Sequence, residues 1–197
     1  MYDYIKGTLT EITPTQAVIE NNGIGYKLEI SLTTFADIQG FAEKEVKLFI
    51  YYHVKEDVAL WYGFDTKEER GMFMLLINVN GVGPNTARMI LSSLTTDELK
   101  AAVVGDDVNK IKNVKGIGLK TAQKIIIELK DKIVKGADTS TLSLSGGKAN
   151  PQSEEALGAL TMLGFAKAAS QKAIGEVLKE NPGAPVEEII KKALKKL

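Results

Sequence analysis

The chain has no cysteine, which excludes a disulfide framework and a thiolate zinc site. Its single histidine, His53, leaves no partner for a two-histidine metal site within one chain and reads as structural. No apolar run is long enough to cross a bilayer, and the opening Met1-Tyr2-Asp3-Tyr4-Ile5-Lys6-Gly7 does not read as a secretion signal, so no membrane role and a cytoplasmic location are expected. A nucleotide-binding G-x-x-x-x-G-K-[ST] loop is also missing. Gly146-Gly147-Lys148 lacks the spacing, so no ATP hydrolysis, cofactor, metal site or catalytic residue is expected of this chain. Net charge is lacking too, with 25 Lys and Arg against 25 Asp and Glu.

What is present is ordinary in bulk and uneven in detail. The 197 residues are 44% apolar and 25% charged, the make-up of a globular protein long enough for two or three small domains. Residues 1–62 carry a net charge of −4, residues 63–135 a net of +3 and residues 136–197 a net of +1. Within the middle third, residues 110–135 hold 8 lysines against 2 acids. A basic patch is therefore focused in a protein whose first third repels phosphate on average.

The first 64 residues have the periodicity of strands. Tyr4 to Thr10 alternates, Ala17 to Glu20 continues the apolar pattern, and Asn21-Asn22-Gly23 is a hairpin turn signal. Ile24, Tyr26, Leu28 and Ile30 fall on one face of the next strand. Thr33 to Gln39 reads as a short helix or loop ended by Gly40, Val46 to Val54 as a β-branched and aromatic strand, and Val58 to Phe64 as the last strand after Lys55-Glu56-Asp57. Five short strands in this length predict a small OB-like barrel, which does not by itself imply nucleic-acid binding.

From Asp65 the period becomes helical. Thr66 and Glu69 have capping-box spacing, ahead of a stripe of Met72, Phe73, Leu76 and Ile77. Pro84 suits a first helical position before Ala87, Ile90, Leu91 and Leu94. Thr95 and Glu98 form a second capping box, Asp107 to Val114 is a short helix, and Leu119 to Val134 is the longest, with Ala122, Ile125, Ile126 and Leu129 inward. Residues 136–152, rich in Gly, Ser and Thr, read as a flexible linker spanning roughly 20–25 Å. Residues 153–197 then carry three helical patterns: Glu154 to Leu163, Ala166 to Leu178 and Pro185 to Leu194. The fold expected is α+β and multidomain: barrel 1–64, helical domain 65–135, linker 136–152 and a three-helix domain 153–197.

Two stretches of the helical domain match. Asn80-Gly81-Val82-Gly83-Pro84-Asn85-Thr86-Ala87 and Lys115-Gly116-Ile117-Gly118-Leu119-Lys120-Thr121-Ala122 share polar-Gly-apolar-Gly-x-x-Thr-Ala at an offset of 35. A Gly-x-Gly turn between helices gathers unsatisfied N–H donors at a helix N-terminus, where the dipole favours an anion. Thr86 and Thr121 add a hydroxyl or a cap, and Lys120 adds charge. Such contacts reach phosphates rather than base edges, so sequence-independent DNA binding follows. An αα-hairpin with glycine C-caps also explains the glycines, but neither the repeated Thr-Ala nor the lysines around the second copy.

The pair is similar to tandem helix-hairpin-helix motifs. With Ile5-Lys6-Gly7-Thr8-Leu9, Gly23-Ile24-Gly25-Tyr26, Lys55-Glu56-Asp57, Leu60-Trp61-Tyr62-Gly63-Phe64, Glu69-Arg70 and Leu163-Gly164-Phe165, the chain resembles the RuvA family along essentially its whole length. The resemblance implies a homotetramer that holds a four-way Holliday junction open and square, or an octamer when a second tetramer caps the other face. It implies DNA-backbone contacts from Gly81, Val82, Gly83, Pro84, Asn85, Thr86, Gly116, Ile117, Gly118, Leu119, Lys120 and Thr121. It further implies an acidic pin at Glu56 and Asp57, and a C-terminal domain that docks on the RuvB ATPase ring, for which Leu157, Leu160, Met162, Leu163 and Phe165 are candidates. RuvC resolvase is a further partner, and the processes are recombination, repair and the SOS response.

Asn85 and Leu119 depart from the family, whose hairpins often carry a basic residue there; Arg88, one turn on, is counted among the DNA-backbone contacts as the candidate to compensate. Read alone, Glu56-Asp57 is a solvated turn. Trp61, Tyr62 and Phe64 suit base stacking, although their alternation favours packing. Lys191, Lys192, Lys195 and Lys196 complement a helix dipole. The competing classes are a helix-hairpin-helix repair enzyme, against which the lack of a metal-carboxylate cluster or nucleophile counts, and a nucleoid protein that binds any duplex.

Overall fold

Asn22 and Gly23 both take left-handed backbone angles, φ 52° and 81°, as a two-residue turn matched to strand twist requires. They join the second and third strands of a closed barrel in a computed structural model that describes residues 2–56, 58–140 and 151–197. The chain divides into two compact units, Met1–Val134 and Lys135–Leu197.

In the first unit the strands are β1 (Tyr4–Thr13), β2 (Gln16–Asn21), β3 (Ile24–Glu29), β4 (Glu45–Lys55) and β5 (Val58–Phe64). They close in the order β1-β2-β3-β5-β4, antiparallel except for the parallel β3–β5 pairing, in which Leu28 stands opposite Trp61. A register shift between Leu9 and Glu11 lets the long β1 serve both β2 and β4. Leu9, Ile19, Leu28, Ile30, Leu48 and Ile50 fill the interior. Ile24 does not join that face: it sits beside the turn and is 57% exposed. The short helix is α1 (Leu32–Ile38), capped by Ser31 and followed by a 3₁₀ turn at Gln39–Phe41 rather than stopped by Gly40.

The helical part of this unit comprises α2 (Lys67–Ile77), α3 (Pro84–Ser93), α4 (Thr96–Val104), α5 (Val108–Lys112) and the portion up to Val134 of α6 (Leu119–Ser140). Its core takes Tyr62 and Phe64 from the last strand, each packed on Phe73 with ring centroids 5.0 and 4.9 Å apart. Trp61 lies between Tyr2 and Tyr26, at 4.9 and 5.3 Å. All three aromatics are thus used in packing, as their alternation indicates.

The capping box at Thr95 and Glu98 is complete. The one at Thr66 is half formed: Thr66 accepts from the Glu69 N–H, but the Glu69 carboxylate turns inward and accepts from Ser31 Oγ at 2.5 Å and Thr34 Oγ1 at 2.7 Å. That buried acid fastens α1 to α2. Its two donors stand 38 and 35 residues away in the chain, where local spacing conceals them.

The longest helix continues to Ser140, beyond the expected end at Val134, and α7 starts at Pro151. One glycine, Gly136, costs a helix only about 1 kcal/mol, and no proline interrupts residues 135–140. Pro151 takes a first helical position, where a missing N–H costs nothing. The expected linker is therefore helical at both margins, while residues 141–150 lie outside the described residues.

In the second unit, α7 (Pro151–Met162), α8 (Lys167–Glu180) and α9 (Val186–Leu194) enclose Ala156, Leu160, Ala173, Ile174, Val177, Ile189 and Ala193. Gly164, at φ 94°, ends α7: the Phe165 N–H donates to Leu160 O and the Gly164 N–H to Thr161 O. Among the described residues no helix is long and apolar enough to cross a membrane.

Candidate nucleic-acid interface

The two matching stretches fold to the same hairpin. In the first, the Val82 N–H donates to Val79 O at 3.0 Å and the Ala87 N–H to Gly83 O at 2.9 Å. In the second, the Ile117 N–H donates to Val114 O at 3.0 Å and the Ala122 N–H to Gly118 O at 2.9 Å. The tip glycines, Gly81 and Gly116, take φ 91° and 84°, where a Cβ is strained. Val79, Val82 and Ala87 are buried below the first turn, and Val114, Ile117 and Ala122 below the second. Val82 and Ile117, expected at the DNA backbone, therefore anchor the turn with their side chains and present only their main chain to solvent.

The second glycine of each pair plays a different part. Gly83 caps α3 in an ordinary extended conformation, φ −85°, with no side-chain capping bond. A Cβ on Gly83 or Gly118 meets nothing within 4 Å. Neither backbone angle nor packing requires glycine there, so the space is open to an incoming group. The first-turn N–H groups beyond it, Asn85 and Thr86 in α3 and Lys120 and Thr121 in α6, have no acceptor in their own helix. Each hairpin is a shallow, uncovered cradle of donors at the positive end of a helix dipole.

Charge around the cradles is unequal. Lys112, Lys115, Lys120 and Lys124 are all exposed, and among the described residues none of them has an ion pair. Nearby, Lys110 faces Glu98 at 3.5 Å, and Lys130 faces Asp106. Lys115 and Lys120 lie within the matching stretch; Lys112 and Lys124 emerge when the two hairpins are compared position by position. At the first hairpin Arg88 is turned away onto the barrel, bonded to Glu29 and, at 3.1 Å, to Thr15 O. It is committed to packing the helix on the barrel, and compensating Asn85 requires that pair to open. Asn85 itself faces the Tyr62 hydroxyl at 3.5 Å. Burial holds the Tyr62 phenol above its ordinary pKa, so it remains a neutral donor.

Glu56 is exposed in the turn where Lys55 pairs with Val58 across the β4–β5 hairpin; Asp57 lies outside the described residues. Of the residues considered for docking, Leu160 is fully buried and belongs to the three-helix core, with Leu157 and Phe165 packed against it. Met162 and Leu163 are 92% and 63% exposed beside the Gly164 turn. Lys192 is paired with Glu188 at 2.7 Å, and Lys196 bonds Glu180 at 2.8 Å, so both serve their own domain. Among the described residues no group of three or more His, Asp or Glu side chains is arranged to hold a metal ion.

Comparison with known proteins gives three matching family models in chain order. RuvA N terminal domain matches residues 1–63, a SAM-like helix-hairpin-helix tandem matches 73–131, and RuvA, C-terminal domain matches 151–197. A Bacteroides fragilis protein described as Holliday junction branch migration complex subunit RuvA is 51% identical over 203 aligned residues, covering the whole of both chains. Proteins of the same description from Bacteroides thetaiotaomicron and Christiangramia forsetii are 50% and 47% identical, again over the whole of each chain.

Proposed function

The chain belongs to the RuvA family, and from that premise we propose that it is the non-catalytic DNA-binding subunit of a branch-migration complex, acting in the cytoplasm on Holliday junctions. Four copies hold the junction open and square. Residues 65–135 grip the arms, the barrel of residues 1–64 lines the crossover, and residues 153–197, tethered through 136–152, recruit a RuvB-type ATPase ring. A RuvC-type resolvase acts on the same open junction. The observation that carries this reading is the duplicated hairpin, set within full-length identity of about half to proteins named for that role.

The division of labour follows from elementary electrostatics. N–H donors at two helix ends recognise the sugar-phosphate backbone and no base, as suits a junction whose sequence changes while it migrates. The first 62 residues, net −4, repel strands that the lysines of the helical region hold. Glu56 and Asp57 at the crossover keep exchanging strands apart. The chain supplies geometry, and ATP-driven movement comes from the partner that meets Met162 and Leu163.

Comparative electrophoresis tests the square geometry. Junctions with two long and two short arms are bound by the full chain in magnesium buffer. A square arrangement sorts the arm pairings into two mobility classes; three classes, the pattern of a stacked junction, contradicts it. Light scattering of the bound complex gives the number of subunits, and a mass other than four or eight contradicts the assembly.

A further inference from the structure

The hairpins share a backbone and differ in charge at four lysine positions of the second. Moving back by the repeat offset of 35 residues, Lys112 corresponds to Ile77, Lys115 to Asn80, Lys120 to Asn85 and Lys124 to Met89. Asn80 and Lys115 occupy equivalent turn positions beside the strained glycines Gly81 and Gly116, and both are exposed. Lys120 and Lys124, one turn apart, share a face of α6. Met89, the counterpart of Lys124, instead packs toward the other hairpin: a Cβ on Gly116 would lie 3.4 Å from its Cε. Arg88, the one cation of α3, is held by Glu29 and Thr15 O.

We propose that ionic attachment to DNA phosphate is confined to the second hairpin, with Lys115 at its tip a direct phosphate ligand, while the first hairpin holds the backbone through neutral N–H donors alone. The inference rests on the functional reading above and deepens it. Counterions are displaced only where a cation meets a phosphate, so salt dependence comes from the second hairpin. The first, uncharged and fastened to the barrel through Arg88, sets where the strand lies without adding to the salt slope. An arm is then anchored at one hairpin and positioned at the other.

The test is a salt series with the full chain on two DNAs, a linear duplex and a four-way junction, plotting log affinity against log salt concentration. Lys115→Gln is expected to flatten the slope by about 0.9 for each phosphate that Lys115 neutralises, and Asn80→Lys to steepen it by a similar amount. Replacing Lys112, Lys115, Lys120 and Lys124 together with Gln is expected to remove most of the slope. All four side chains are exposed, and an unchanged melting curve verifies the fold. A wild-type slope in Lys115→Gln removes Lys115 as a phosphate ligand, and a slope largely retained in the quadruple variant overturns the division between hairpins. If wild type binds both DNAs equally while Lys115→Gln still flattens the slope, the junction reading fails and this inference stands.

Discussion

The guanidinium of Arg88 is bonded to the carboxylate of Glu29, so the helix that opens at the first hairpin is fastened to the third strand of the barrel. The side chains are 21% and 16% exposed, well shielded for an ion pair. Truncating Arg88 to Ala leaves Glu29 with Gln16 Nε2, at 2.8 Å, as its remaining side-chain donor. Removing one partner of a partly buried pair is expected to cost about 2 kcal/mol. A urea-unfolding cycle with Arg88→Ala, Glu29→Ala and the double variant should show coupling of about 1 kcal/mol or more. Additive losses contradict the clasp.

The two glycines of each hairpin separate folding from binding. Gly81→Ala and Gly116→Ala force a Cβ into a left-handed backbone and are expected to cost about 1–2 kcal/mol each in thermal unfolding. A Cβ at Gly83 or Gly118 meets open space, so Gly83→Val and Gly118→Val are expected to leave the melting curve nearly unchanged while weakening DNA binding at least tenfold. Full binding by the double valine variant removes these positions from the interface.

Glu69 gives a pH signature. Burial raises its pKa, and hydrogen bonds from Ser31 and Thr34 lower it to a smaller degree; the Asp37 charge adds to the rise. The folded state therefore binds the proton more tightly than the unfolded chain. Its contribution is fully present below the ordinary carboxylate range and is lost as pH rises through the elevated folded value. Asp3, Glu98, Glu180 and Glu188 are shifted down and act in the opposite sense, so the difference between wild type and Glu69→Gln isolates the effect. Followed by Trp61 fluorescence in urea, Glu69→Gln should gain on wild type as pH rises from about 4.5 toward neutrality. A difference independent of pH contradicts a buried, proton-binding Glu69.

Glu56, exposed in the turn after β4, and its sequence neighbour Asp57 supply a prediction about discrimination. On the proposed reading, replacing both with Lys removes repulsion at the crossover. Junction affinity is expected to hold or rise, while preference over linear duplex falls. Competition binding that is unchanged in both respects removes the acidic pin.

Much of this architecture was legible because it is written in local periodicity. The strand alternation, the Asn22-Gly23 turn, Pro84 and the Thr95–Glu98 box each specify an element through neighbours a few residues apart, and the structure has them. What escaped depends on distant partners. Glu69 looks like a capping residue until Ser31 and Thr34 arrive from α1, and Arg88 looks like a free cation until Glu29 claims it. Ile24 continues an alternation whose outer end the barrel leaves uncovered. Leu160 and Met162 are both apolar, yet one is buried and the other almost wholly exposed: two positions apart on α7 they point to nearly opposite sides, and Leu160 alone continues the inward stripe of Ala156.

Equilibrium competition at matched ionic strength tests the central claim most directly. Labelled four-way junction is bound by the full chain and challenged with unlabelled junction or with linear duplex of the same arm sequences. The junction is expected to compete at concentrations at least a hundredfold lower than the duplex. Equal competition by the two DNAs would contradict a protein built to hold four arms, and leave one that grips any duplex through its paired hairpins.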